Sequence, residues 1–194
     1  TGLAFALFYT ILGIPIASLS ERGNRPMIIG SAIAVWSGFT ALCGMAQSYW
    51  QLVLARVGVG VGEAGCTPPA IALITDYTPP QERASALSIY LLGAPLGALI
   101  GMAAGGLIAD TYGWRMAFLI AGAPGVVLSL VVLTTLSEPR KRLTAEMRAR
   151  AASVPAPNFK KTVAMLRKSR TYVLICSAIS LQAFISYGTT AFIA

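Results

Sequence analysis

Long apolar segments follow one another along this chain, and almost all of its charged residues lie between them. Six such segments can be marked, over 1–20, 26–47, 50–76, 83–109, 114–136 and 171–194. A helix of about 20 residues rises about 30 Å, which is the thickness of the hydrocarbon core of a bilayer. The pattern therefore predicts an all-α integral membrane protein, with the lipid bilayer as its immediate partner.

The composition and the distribution of charge support this interpretation. Hydrophobic residues make up 56% of the chain and charged residues only 11%, against about 25% charged residues in soluble domains. The net charge of +8 is not spread out, because ten of the fifteen lysines and arginines lie within 140–170. A basic loop between apolar segments is typical of the cytoplasmic side of a membrane protein. Nucleic-acid binding is not expected.

Loops with several charged residues alternate along the chain with loops that have few or none. Those at 20–26, 76–83 and 137–170 carry charged clusters, whereas 47–49 carries none and 110–115 carries one acid and one base. The positive-inside rule places the three charged loops in the cytoplasm.

The longest loop, 137–170, contains three prolines and an Ala/Lys/Arg-rich middle. We expect a basic linker with two short amphipathic helices, near 142–152 and 158–168. The chain begins and ends inside apolar segments, so we also expect a fragment of a longer protein that lacks a preceding helix.

The sequence gives little support for a metal site or a disulfide bond. The three cysteines, Cys43, Cys66 and Cys176, form no C-x-x-C pair, and the sequence has no histidine. No metal site or cofactor is expected. The chain also lacks a cluster of paired carboxylates and nucleophiles, so an enzyme is not expected.

Two charged residues interrupt the third apolar segment. Arg56 and Glu63 are seven positions apart, so they share one face of a helix and differ by about 10 Å in height. Charges at this depth are costly and face a partner or a wet cavity. Gly60 and Gly62 leave room for close helix packing. Since histidine is absent, a proton carrier must be a carboxylate; Glu63 is the candidate, with Arg56 as a substrate-binding or charge-sensing group.

The fourth segment has a glycine at every fourth position. Gly93, Gly97, Gly101 and Gly105 form a ridge that permits close approach of another helix.

Several motifs resemble those of the major facilitator superfamily. The stretch from Ala17 to Pro26, which includes Arg22 and Arg25, is similar to its loop signature G-x-x-x-D-R-x-G-R-R/K, with four substitutions: Ala17, Glu21, Asn24 and Pro26. The run from Arg56 to Ala64 is similar to its fourth-helix motif. Asp76, Pro79 and Arg83 match its D-x-x-P-x-x-x-R pattern, and residues 113–118 follow the G-W-R-x-x-F order. The glycine ridge is similar to the fifth-helix antiporter motif, but Met102 replaces its proline, so exchange and symport stay open.

The resemblance implies an incomplete bundle of the major facilitator type with a 3+3 inverted repeat. Residues 1–136 would then hold helices two to six of the N-terminal bundle, 137–170 the linker, and 171–194 the first helix of the C-terminal bundle. It also implies a conformational gate formed by Glu21, Arg22, Arg25, Asp76 and Arg83.

The runs Gly60–Ala64 and Asn24-Arg25 are most similar to the spinster branch, as found in bacteria. This implies a monomeric carrier in a bacterial inner membrane that moves a lysophospholipid or a sphingoid phosphate by proton-coupled alternating access. Phe5, Tyr9, Phe184 and Tyr187 would line the path of the lipid tail. The alternatives are a carrier of an organic anion, sugar acid or drug, and a non-transporting membrane scaffold or receptor.

Overall fold

The computed structural model describes residues 2–139 and 159–193, and it shows eight helices there. For some residues within these ranges the structure describes the backbone but not the side chain. They are residues 2–7, Ile14, Ala17, Glu21, Arg22, 159–162 and 186–193. The chain divides into two units, Thr1–Arg142 and Leu143–Ala194. The first unit contains α1 (Gly2–Arg22), α2 (Arg25–Met45), α3 (Tyr49–Ala64), α4 (Thr67–Tyr77), α5 (Arg83–Tyr112) and α6 (Trp114–Thr135).

The helix ends follow from local side-chain chemistry. Asn24 precedes α2 and accepts a hydrogen bond from the Met27 amide at 3.4 Å. Ser48 precedes α3 and accepts one from the Gln51 amide at 3.3 Å. Both side chains satisfy an amide that has no partner within the helix. Between α5 and α6, Gly113 has φ of 84°, a backbone conformation that glycine adopts without strain.

The third apolar segment, predicted as one span over 50–76, is two helices. The α3 helix ends at Ala64 and α4 begins at Thr67. Pro68 and Pro69 open α4, and because proline has no amide hydrogen they cannot bond to the carbonyls of Ala64 and Gly65. The two helices together, Tyr49–Tyr77, are still long and apolar enough to cross a membrane.

The core of the first unit lies around α2. One buried cluster joins α2, α4 and α6 through Ile29, Ile33, Ala70, Leu73 and Val132. A second joins α2 and α3 through Cys43, Ala55 and Val59, with Phe118 of α6 against it. The Ser129 hydroxyl of α6 donates to the Gly30 carbonyl of α2 at 2.8 Å, which shows how closely these two helices approach.

The α5 helix, whose residues are all described, has no buried residue. Its surface is apolar almost all round, which suits lipid or further helices rather than water. Four spans in the described part are long and apolar enough to cross a membrane: Arg25–Met45, Tyr49–Tyr77, Arg83–Tyr112 and Trp114–Thr135. The shorter described stretches Phe8–Ser20 and Arg170–Ile185 are apolar helices as well.

The second unit contains α7 (Phe159–Lys168) and α8 (Arg170–Ile193). The α7 helix matches the amphipathic helix predicted near 158–168, and α8 matches the last apolar segment. The other predicted linker helix, near 142–152, lies outside the described residues.

Candidate functional site

A buried ion cluster lies where three elements of the first unit meet. Arg25 at the start of α2 is 0% exposed and contacts two carboxylates. Its Nη2 donates to Asp76 Oδ2 at 2.7 Å and to Glu138 Oε1 at 2.6 Å. Its backbone amide donates to Glu138 Oε2 at 2.8 Å. Asp76 is near the end of α4 and Glu138 follows α6, so these residues, the Arg25 cluster, tie three elements together.

The two carboxylates of the Arg25 cluster differ in their exposure to solvent. The Glu138 side chain is 5% exposed and that of Asp76 is 42% exposed. Arg25 Nη1 is buried and has no hydrogen-bond partner among the described residues. The described hydrogen bonds of the guanidinium are made by Nε and Nη2.

Neighbouring contacts fix the same end of the first unit. The Tyr77 hydroxyl donates to the Ser137 carbonyl, next to Glu138. Arg83 Nε donates to the Thr78 carbonyl at 3.2 Å, where α4 ends. Of the predicted gate residues, Arg25 and Asp76 are therefore brought together and Arg83 holds the adjoining turn. The side chains of Glu21 and Arg22 lie outside the described residues.

The two deep charges lie on α3, as their spacing predicts. Arg56 is half-buried, and it interacts electrostatically with Cys43 and with Glu63. The Glu63 side chain is exposed at the surface of the first unit, in the last turn before the break between α3 and α4. In a membrane, a carboxylate in this position faces either a water-filled space or another polar group.

The break between α3 and α4 lies next to Glu63, and part of α5 packs near it. Cys66, in the break, and Tyr90 of α5 both pack against the buried cluster of α2, α4 and α6. From Ser88 to Ala104 every residue of α5 is exposed except Tyr90, which is half-buried.

The predicted packing glycines fall into two groups. Gly60 and Gly62 are buried, and a Cβ built on Gly62 would lie 2.6 Å from the Trp36 backbone nitrogen of α2. Around Gly93, Gly97, Gly101 and Gly105 of α5, no described atom lies within 4 Å of a built Cβ. The packing role of the α5 glycines stays a prediction.

The predicted aromatic lining is only partly described. Tyr9 is half-buried, and Phe184 on α8 is 78% exposed. The side chains of Phe5 and Tyr187 lie outside the described residues. Within the described part of the chain, no group of three or more His, Cys, Asp or Glu residues could hold a metal ion.

A groove of about 310 Å³ lies between the second half of α2 and the first half of α3. Its lining is apolar except for Gln51 and includes neither Arg56 nor Glu63: Phe39, Leu42, Met45, Ala46, Gln51, Leu54 and Ala55.

Fold and site together define a multi-pass α-helical membrane protein with a deep carboxylate and a buried ion cluster at one end of its bundle. The Major Facilitator Superfamily matches residues 1–194, and the chain belongs to this family. The predicted fold class is thereby confirmed.

The chain is similar to a solved structure described as a bacterial homolog of the human lysosomal transporter Spinster, in an inward-facing and unoccupied conformation. The two are 41% identical with a TM-score of 0.61, over 70% of this chain and 34% of that one. The predicted similarity to the spinster branch is confirmed by this match.

Curated relatives include proteins of different named functions. An MFS-type efflux pump of Mycolicibacterium smegmatis is 39% identical over 68% of this chain and 31% of its own length. The sphingosine-1-phosphate transporter SPNS2 of Danio rerio is 30% identical over 90% of this chain and 34% of its own length. The chain spans about a third of the length of the curated relatives that it matches.

Sequence reasoning missed Glu138 and Tyr90. Glu138 lies in the loop 137–170, which the sequence marked only as basic, although an acid directly after a predicted span, on the side of Arg25, is a signal for pairing. Tyr90 carries no charge and matches no motif, and only the packing of α5 on the first unit's core brings it near the break.

Proposed function

We propose that this chain forms part of a secondary transporter that moves an amphipathic, lipid-like solute and couples its movement to protons. Membership of the Major Facilitator Superfamily supports transport as the general activity. The observation that carries the coupling is the place of Glu63, a carboxylate in the middle of the span Tyr49–Tyr77, at a helix break. A group that alternates between charged and neutral forms there can respond to protons from either side.

The solute class rests on the named relatives and on the charges of α3. A sphingosine-1-phosphate transporter and a probable sphingolipid transporter of Arabidopsis thaliana are both similar to this chain. Lysophospholipids and sphingoid phosphates combine a hydrocarbon tail with a charged head group. Arg56 is suited to attract an anionic head group within the membrane, where charge interactions are strong. Tyr9 of the first unit would contact the tail.

Alternating access requires an interaction that holds one end of the bundle in one of its states. The Arg25 cluster has the required properties, since it joins α2, α4 and the segment after α6 through buried ion pairs. We propose that it holds the cytoplasmic end of these helices together and that Arg25, Asp76 and Arg83 act with Glu21 and Arg22 as the gate.

The proposed placement is a monomer in a bacterial inner membrane with residues 137–170 in the cytoplasm. The charge asymmetry of the loops supports this orientation. The proton is the only coupling ion in this proposal, and no cofactor is required.

A second candidate is the export of a drug or another organic solute. The 39% identity to an MFS-type efflux pump favours it, and it requires no change in fold or in the role of Glu63. Uptake assays with a panel of lysophospholipids, organic anions and drugs separate the two. A non-transporting scaffold, in contrast, would tolerate apolar residues in place of Arg56 and Glu63.

The test uses the full-length protein reconstituted into vesicles with an imposed pH gradient. Glu63→Gln keeps the shape of the side chain but cannot release or bind a proton at neutral pH, so we expect proton-driven uptake to be lost. Glu82→Gln is the matched control, because Glu82 is exposed in the turn before α5. It should transport as the natural protein does. Normal pH-driven uptake by Glu63→Gln would refute the assignment.

A further inference from the structure

The short α7 helix, Phe159–Lys168, has one apolar side and one basic side. Positions 159, 163 and 166 hold Phe, Val and Leu, and their spacing of four and three residues places them on the same side of a helix. Positions between about 80° and 200° further round from Phe159 hold the bases of the helix. These bases are Lys160, Lys161, Arg167 and Lys168.

The apolar side of α7 is not covered within the second unit. Val163 is 36% exposed there, and Leu166 is only half-buried. The bases Arg167 and Lys168 are exposed as well. A helix with a Lys/Arg-rich polar side and an apolar side binds in the plane of a membrane interface, where both sides find a suitable partner.

The junction with α8 holds α7 at the surface of the bilayer. Ser169 alone separates the two helices. Its amide donates to the Leu166 carbonyl at 3.1 Å, and its hydroxyl accepts from the Tyr172 amide at 3.3 Å, so it ends α7 and caps α8. The apolar stretch of α8 begins at Arg170. Since α7 is only about 15 Å long, all of it stays close to the point where the chain enters the membrane.

The charge of this part of the chain indicates which lipid it meets. From Met147 to Ala194 the sequence contains no Asp or Glu, whereas 160–170 contains five Lys and Arg. The negative charge beside α7 therefore has to come from outside this stretch. Anionic phospholipids of the cytoplasmic leaflet carry such charge, and they attract basic segments that lie next to a membrane span.

We propose that α7 docks flat on the cytoplasmic surface of the membrane and binds the phosphates of anionic phospholipids. Positions 159, 163 and 166 enter the interface, and the four bases meet the head groups. The lipid in this role is a constituent of the bilayer and not the solute, so docking of α7 does not depend on the proposed function. Docking holds the start of α8 at a fixed depth in the membrane.

The experiment measures how far position 163 is exposed to water in the full-length protein. An environment-sensitive fluorescent amino acid replaces Val163, and acrylamide, an uncharged quencher dissolved in the water, reports its exposure. The protein is reconstituted into vesicles of phosphatidylcholine alone or of phosphatidylcholine with phosphatidylglycerol. The control position is Ala164, which is exposed and lies about 100° further round the helix.

Phosphatidylglycerol should shield position 163 from acrylamide and leave position 164 quenched as in phosphatidylcholine alone. A rise in salt from about 0.1 M to about 1 M should reduce the shielding, because the Debye length falls from about 10 Å to about 3 Å.

Replacement of the four bases of α7 by Gln should abolish the shielding. Each base removed lowers the ratio of docked to undocked helix about fivefold, and Gln is as good a helix former as Lys and Arg. The matched control replaces four bases of the same loop outside α7 by Gln and should retain the shielding. These control positions are Lys141, Arg142, Arg148 and Arg150.

Three results would overturn the proposal. Equal shielding of position 163 in both kinds of vesicle would show that protein or neutral lipid covers this side of α7. Quenching that phosphatidylglycerol does not change would show that this side stays in water. Equal loss of shielding in the α7 variant and in the control variant would show an effect of net charge and no recognition by α7.

Discussion

At the scale of single residues, the Arg25 cluster explains how a charge can be completely buried at a helix start. Arg25 Nε and Nη2 both donate hydrogen bonds to the Glu138 carboxylate, and Nη2 also donates to Asp76. The N–O distances are 2.6 to 3.3 Å. A buried ion is tolerated only when such bonds replace its hydration. The stability of the Arg25 cluster therefore depends on both carboxylates, and most of all on the buried one, Glu138.

Removal of the buried carboxylate should be destabilising. Glu138→Gln leaves Arg25 buried with one charged partner, and loss of a partner from a buried ion pair costs about 3–5 kcal/mol. We expect a lower melting temperature of the detergent-solubilised protein. The exposed Glu82→Gln is the control and should change the melting temperature little.

The double variant Arg25→Met with Glu138→Leu separates pairing from packing. If the cost of Glu138→Gln comes from the unpaired arginine, removal of both charges should recover part of the lost stability. A melting temperature for Glu138→Gln equal to that of the natural protein would contradict a stabilising cluster.

The sequence allowed Arg25 and Asp76 to be predicted as gate residues, because each of them falls in a recognisable loop motif. It did not allow one for Glu138, which is 113 positions from Arg25. Such a pair forms only when α2 and α6 pack side by side, and no local pattern encodes that contact. The same holds for Tyr90, whose contact with the buried cluster depends on the packing of α5 on the other helices.

At the scale of elements, hydropathy predicted where the six apolar segments begin and end to within a few residues. The reason is physical: about 20 apolar residues must cross the hydrocarbon, and charged or turn-forming residues end each span. The break in the third segment was not predicted, because hydropathy does not change there. The signal was the Pro68-Pro69 pair, whose missing amides release two carbonyls of the preceding turn.

The close packing of α3 on α2 yields a prediction for Gly62. Its built Cβ would lie 2.6 Å from the Trp36 nitrogen and 3.0 Å from the Trp36 Cα, atoms of a helix backbone that cannot move alone. We expect Gly62→Ala to lower stability by about 1–3 kcal/mol, measured as thermal unfolding in detergent.

Gly38→Ala is the matched control, on α2 of the same helix pair. A Cβ built there meets no described atom within 4 Å. Alanine is the better helix former, so this change should be neutral or stabilise by up to about 1 kcal/mol. Gly62→Ala with the stability of Gly38→Ala would show that α2 and α3 are not packed this closely.

At the scale of the whole molecule, membership of the Major Facilitator Superfamily covers residues 1–194, whereas the chain spans about a third of its curated relatives. The relatives carry different names, which include an efflux pump and a sphingosine-1-phosphate transporter. The fold is shared across these functions, so the solute must be argued from the site. Here the site offers a carboxylate, Glu63, and an arginine, Arg56, within the span Tyr49–Tyr77.

The central claim is that a proton gradient drives lipid-like solute through this protein, and uptake into vesicles tests it most directly. The full-length protein is reconstituted, a pH gradient is imposed, and radiolabelled lysophosphatidylethanolamine inside the vesicles is followed with and without a protonophore. The proposal predicts accumulation above equilibrium that the protonophore abolishes, and none in vesicles without protein. Accumulation that is equal with and without the protonophore, or absent altogether, would contradict it.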